Sequence, residues 1–284
     1  LDAGINFDGG GTFDAKIYST SGDIILKGNK SSLSNSYGIM NGIDDIPTYI
    51  GTDGTNETSG NIYINSDNFD FQDAYHTIET TGRLFVTPVS NSFSSALNSS
   101  NIDLSNSLTG LTIGTNSNTS DININSDIEI AGPISIYGGD ITVSGNITST
   151  LSEEDVLLKA SEDILLDTSK TITTNGGDVI LWSDSDANNG GSISLGSAAA
   201  LQTGGGSIFM AGGLDNGSNG GTANDNIPDG YARGVGVSGI TTTGSFTINS
   251  DAGDILLRGS SDTKDGILLS ASSTGNLITT GGFI

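Results

Sequence analysis

Along this chain, apolar residues recur in short alternating runs, each opened by a glycine or acidic corner. The pattern appears as Gly22-Asp23-Ile24-Ile25-Leu26, Gly60-Asn61-Ile62-Tyr63-Ile64 and Gly139-Asp140-Ile141-Thr142-Val143. It continues as Glu162-Asp163-Ile164-Leu165-Leu166, Gly177-Asp178-Val179-Ile180-Leu181, Gly206-Ser207-Ile208-Phe209-Met210 and Gly253-Asp254-Ile255-Leu256-Leu257. A period of two is that of a β-strand with one buried face. From Asp121 to Thr148 the pairs Ile122/Ile124, Ile128/Ile130, Ile134/Ile136 and Ile141/Val143 follow one another at six or seven residues.

Strands this short, joined by one- to three-residue corners, do not suit a sandwich of hairpins, and Asn-Gly or Asp-Gly hairpin turns are not the dominant connector. The spacing predicts an all-β, right-handed parallel β-helix, a solenoid with three short strands per rung. Each rung would take roughly 20 residues and stack at the ~4.8 Å strand spacing, giving a rod of about 50–60 Å over ~10–12 rungs. Residues 1–284 then form a single β-helix segment. Its regularity fails at 27–60, 66–120 and 212–235, which read as irregular stretches or inserted loops. In solenoids such insertions emerge on one face, where function often sits.

Composition agrees with an all-β chain. Gly occurs 42 times against 4 Pro, and only 15% of residues are charged. The formal net charge is -24, so nucleic acid and anionic membrane surfaces would be repelled. Cations, basic surfaces and neutral glycans are better matched, although a large acidic excess also simply keeps a surface protein soluble. The absence of cysteine leaves stability to stacking and hydrogen bonding. No run approaches membrane-spanning length, so no membrane insertion is expected. The chain starts at Leu1 without a signal peptide and stops at Ile284 within the pattern, as expected of a segment of a longer protein.

The tandem units, above all residues 171–182 (Thr171 to Trp182) and 190–197 (Gly190 to Ser197), resemble the β-helical shaft of filamentous-haemagglutinin-like exoproteins. The resemblance covers most of 120–284 and less of 1–120. The asparagine-proline secretion motifs of that family's N-terminal domain are absent, which would place this piece downstream of it. The resemblance implies a cell-surface adhesin or fibre exported by two-partner secretion, with roles in adhesion, aggregation or biofilm.

Catalytic chemistry finds little support. Parallel β-helices also include pectate lyases and polygalacturonases, which need clustered carboxylates and basic residues around an acidic sugar. The three arginines, Arg83, Arg233 and Arg258, are far apart in sequence, and Asp44-Asp45 is the adjacent acidic pair nearest that pattern. Two carboxylates about 5–10 Å apart suffice for glycosidase chemistry, but 33 acidic residues supply such pairs by chance. The single histidine, His76, reads as a surface or loop residue. No catalytic, cofactor-binding or metal residue is assigned. The nearest to a Ca²⁺ loop is Asp184-Ser185-Asp186 with Asn188 and Gly190, which alternates oxygen side chains before a glycine. Leu195 stands where the bidentate glutamate would be needed. Asp215, Asn216, Asp225, Asn226 and Asp229 form a second acidic loop. Thr171/Thr173 and Thr241/Thr243 are too few for an ice-binding array, and the Asn146 sequon is expected by chance.

Where a strand's first and third residues point inward, its middle residue points out. That residue is polar at Asn123, Glu129, Ser135, Thr142 and Ser194, but apolar at Ile25, Leu157, Leu165, Ile180, Leu256, Leu268 and Phe209. Stacking would gather some of these into an apolar strip, either an interface for lateral packing of neighbouring copies or a face covered by one of the irregular stretches. The sequence therefore predicts a non-enzymatic structural and adhesive shaft of an extracellular protein at the bacterial cell surface, meeting cell-surface or glycan ligands. A carbohydrate-binding or polysaccharide-degrading β-helix is the alternative.

Overall fold

The computed structural model describes residues 3–7, 14–29, 37–41, 47–71, 76–102, 104–188 and 190–284. The protein is all-β, 46% strand and 2% helix, with long parallel sheets compatible with a β-helix or solenoid. The chain divides into two compact units, Leu1–Ser120 with Ile130–Gly132, and Asp121–Glu129 with Pro133–Ile284.

In the first unit a strand mostly pairs in parallel with the third strand after it, while Leu84–Thr87 pairs with the second. Ala3–Phe7 pairs with Tyr37–Asn41, which pairs with Phe69–Asp70. Ala15–Ile17 pairs with Thr48–Ile50, and that with His76–Ile78. Ile24–Lys27, Ile62–Asn65, Leu84–Thr87 and Leu111–Ile113 form a third ladder in unbroken register. The stretches 27–60 and 66–120 thus contribute strands to the same ladders, where the sequence suggested irregular chain. Their inward positions include Thr48, Thr58 and Thr80, which hydrophobic periodicity cannot flag as core.

The second unit repeats the scheme over more turns. One ladder runs Ile122–Ile124, Ile141–Val143, Ile164–Leu166, Ile193–Leu195, Ile240–Thr242, Ile267–Leu269. A second runs Ile134–Gly138, Val156–Ala160, Val179–Ser183, Ile208–Gly212, Ile255–Leu257. The third runs Ile147–Ser152, Thr171–Asn175, Ala199–Gln202, Phe246–Asp251, Gly275–Thr279. Inward rows such as Ile134, Val156, Val179 and Ile208 are fully buried. Each such side chain stabilises the fold by roughly 1.5–3 kcal/mol. The 212–235 stretch inserts one further strand, Ala232–Gly234, which pairs with Gly259–Ser261.

The corners explain the Gly-Asp signature. Asp121 Oδ1 accepts the Asp140 N–H, Asp140 Oδ1 the Asp163 N–H, and Asp163 Oδ1 both the N–H and the hydroxyl of Ser192. On a second corner Asp155 Oδ1 accepts from Asp178 N and Asp178 Oδ1 from Ser207 N, each at 2.7 Å. Each corner side chain therefore caps the turn above it, satisfying a backbone donor that the ladder leaves over. The glycine before it allows the close approach. A Cβ on Gly177 would lie 2.1 Å from the Glu154 carbonyl oxygen, and one on Gly206 2.1 Å from that of Gly177.

A third corner is lined by buried hydroxyls. Thr174 Oγ1 donates to the carbonyls of Gly177 and Thr203, and Thr203 Oγ1 to those of Gly206 and Ser250. In the first unit Thr80 Oγ1 reaches the Gly60 and Thr58 carbonyls. These hydroxyls are buried without loss because the adjoining turn supplies their partner.

Candidate functional surfaces

The acidic residues first suggest a site, so their environment decides what they can do. Burial, and then the like charges of Asp163 and Asp121, hold the Asp140 carboxyl above its ordinary value against the pull of the Asp163 N–H. Asp178 is raised mainly by burial, with Asp155 adding to it. Asp127 behaves oppositely: it is nearly fully solvated, and the backbone and side-chain N–H groups of Asn146 lower it. The Asn146 side chain itself accepts the Thr171 N–H, which makes this asparagine a corner residue. These carboxylates are structural acceptors.

The Asp184/Asp186 loop has the same character. Asp184, buried and at φ 48°, accepts the Gly190 N–H. Asp186 uses both oxygens on Asn188, accepting its backbone N–H at 3.2 Å and its side-chain amide at 2.7 Å. Among the described residues no group of three or more His, Cys, Asp or Glu is arranged to hold a metal ion. In the second acidic loop Asp215 accepts from the backbones of Asn224 and Asn226, and Asp229 from those of Asn216 and Gly217. Arg258 then clamps the loop through the carbonyls of Pro228, Asp229 and Asn219.

That loop reaches the sheet. Trp182, the chain's single tryptophan, is buried and donates its indole N–H to the Gly213 carbonyl at 2.7 Å. Lys159, its register partner on the next turn, lies 3.6 Å over the ring. Burial lowers the Lys159 ammonium, opposed by the charge of Asp215. Ile180, on the same strand, is only 6% exposed.

The apolar middle residues accordingly fall in three places. Leu157, Ile180, Phe209 and Leu256 are consecutive register partners and form one row. Leu165 and Leu268 belong to another ladder, where Ser194 and Thr241 stand between them. Ile25, 66% exposed, is the register partner of Tyr63. In its ladder Tyr63 and Phe85 stack on one another at 4.8 Å, and Arg83 packs over Phe85, so their ring faces are turned along the ladder.

The histidine reading is corrected. His76 lies in the strand His76–Ile78, is 5% exposed and stacks on Phe71 at 5.3 Å. Its imidazole serves as a flat core residue beside an aromatic cluster. Asp44 and Asp45 lie outside the described residues. Of the arginines, Arg83 packs on Phe85, Arg258 holds the loop, and Arg233 takes part in a backbone bridge with Gly191. No described cleft gathers them.

Among the described residues, two cavities bear on the question of a site. One, in the first unit, has a volume of about 200 Å³ and is lined by Tyr37, Asp67, Phe69, Asp70, Phe93 and Asn101 among others. The charge of Asp70, then burial, then its hydrogen bond keep the Tyr37 phenol protonated above its ordinary value. Asp67 accepts the Ser90 N–H. The other, in the second unit, is a groove of about 260 Å³ lined by Glu162, Asp163, Asn188, Gly190, Gly191, Val235 and Val237. Sequence reasoning missed this groove because its walls are more than 70 residues apart along the chain.

The site geometry and the parallel ladders define an all-β, solenoid-compatible protein. No protein-family model matches the chain, and no curated protein or solved structure is significantly similar to it.

Proposed function

We propose that this chain is part of the structural and adhesive shaft of a large secreted bacterial surface protein, and that its role is not enzymatic. In this reading it is a right-handed parallel β-helix with three strands per rung. The observation that carries the reading is the repeated pairing of a strand with the third strand on, its corners sealed from turn to turn by carboxylate, hydroxyl and glycine positions. A fold whose polar groups are spent on turn-to-turn capping suits a load-bearing element, because every added turn satisfies the one beneath. The large acidic excess supports an exterior that stays solvated. Attachment would then fall to the outward rows and to the 212–235 insertion.

Immuno-electron microscopy of the native source tests this. Label along fibres at the cell surface is the expected result. Label confined to the cell interior would contradict the proposal.

A further inference from the structure

The groove in the second unit joins two features that solvent alone does not reward. One wall is apolar and open: Val235 and Val237 are 62% and 51% exposed. Val235 belongs to the same insertion as Tyr231, also an exposed large apolar residue at 45%, and Val237 follows it directly. The lining is also acidic, with Glu162 and Asp163 at the corner of the ladder that holds Asp140 and Asp121. Asp163 spends one oxygen on Ser192. The Glu162 side chain makes no hydrogen bond or ion pair among the described residues.

A groove lined by exposed aliphatic side chains and by carboxylates matches a side chain whose stem is apolar and whose head is cationic. We propose that this groove is a docking site for a lysine side chain of a basic partner protein. The methylene stem lies along Val235 and Val237, and the ammonium sits at Glu162 and Asp163. Charge complementarity selects the occupant. Every charged group that acts on Glu162 is itself an acid: Asp140 foremost, then Asp121, Asp163 and Asp186. All of them push its carboxyl upward, as does its partial burial. A cation placed there neutralises a charge that the chain leaves uncompensated, while the stem covers exposed valine. The inference does not depend on the shaft reading, since it concerns one groove whatever the whole protein does.

The test is a methyl-detected NMR titration of the full chain. The probes are Nα-acetyl-lysine amide, Nα-acetyl-norleucine amide (stem without charge) and ethylammonium (charge without stem). The lysine probe is expected to shift the Val235 and Val237 methyls saturably, and each half-probe to bind at least about threefold more weakly, the scale of an exposed ion pair. Glu162→Gln should reduce the lysine probe to the norleucine level. Glu129→Gln, which removes an exposed acid elsewhere in the unit, should leave it unchanged. The proposal is overturned if ethylammonium or norleucine amide matches lysine, if Glu129→Gln weakens binding as much as Glu162→Gln, or if no saturable shift appears. It is also overturned if these methyls shift with protein concentration alone, because the occupant would then be a second copy of the chain.

Discussion

Replacing Asp178 separates the two jobs of a corner carboxylate. Its Oδ1 accepts the Ser207 N–H at 2.7 Å, and its own N–H is capped by Asp155 at 2.7 Å. Asp178→Ala leaves the Ser207 donor without its partner. For a half-buried group this costs about 1 kcal/mol, the low end of the range for an unsatisfied donor. Asp178→Asn keeps an acceptor oxygen and removes the charge. Burial, and secondarily Asp155, raise this carboxyl above its ordinary value despite the Ser207 hydrogen bond, so the charge itself is unfavourable in the folded state. A carboxyl raised on folding contributes stability that is fully present below its unfolded value, about 3.9. That contribution is lost as pH rises through the folded value. Asp178→Asn should therefore gain on the parent chain as pH rises from about 4 to 7, and Asp178→Ala should stay below Asp178→Asn throughout. Urea unfolding followed by Trp182 fluorescence measures both, with the same denaturant slope expected for all three proteins. If Asp178→Asn is destabilised at pH 7 as much as Asp178→Ala, the negative charge is itself holding the corner and the reasoning fails.

Other substitutions probe the remaining elements. Ile164→Ala, in a row where Ile164 is 1% exposed, should cost about 2–5 kcal/mol. Leu165→Ser, one residue away and 37% exposed, should stay within about 0.5 kcal/mol of the parent in the same urea assay. Gly177→Ala pushes a Cβ to 2.1 Å from a backbone carbonyl, which no side-chain rotation relieves. A loss of about 1–3 kcal/mol is expected, and an unchanged melting curve would refute the close-approach explanation of the glycine row. Arg258→Ala should free the 213–231 loop, seen as faster proteolysis within it and a red-shifted Trp182 emission. Unchanged cleavage would show that Asp215 and Asp229 hold the loop unaided.

The strand–corner repeat was legible because Ile24, Ile62, Val179 and Ile208 each follow a Gly-Asp or similar corner and are matched by another apolar residue two positions on. Parallel pairing in long sheets follows from it. Less visible were turns whose inward positions are hydroxyls. Thr58, Thr80, Thr203 and Ser250 look like loop residues until the carbonyls of the adjoining turn are placed beside them. His76 misled for a similar reason, since only the fold brings Phe71 against its ring. The outward rows were readable as alternation but not as exposure. Trp182 hydrogen-bonds to Gly213 of the 212–235 insertion, a contact between segments about 30 residues apart that no local pattern encodes. The Val235/Val237 groove was hidden in the same way.

Spin-label pairs test the central claim, pairing of a strand with the third one on, most directly, and the cysteine-free chain allows them to be placed at will. Thr142 and Leu165 are register partners on neighbouring turns, and labels at both should show strong dipolar broadening at the ~4.8 Å strand spacing. A pair at Thr142 and Leu157, whose strands belong to different ladders, should show far weaker broadening. Strong broadening for Thr142/Leu157 with a narrow spectrum for Thr142/Leu165 would mean that nearby strands pair with one another, and would contradict the account.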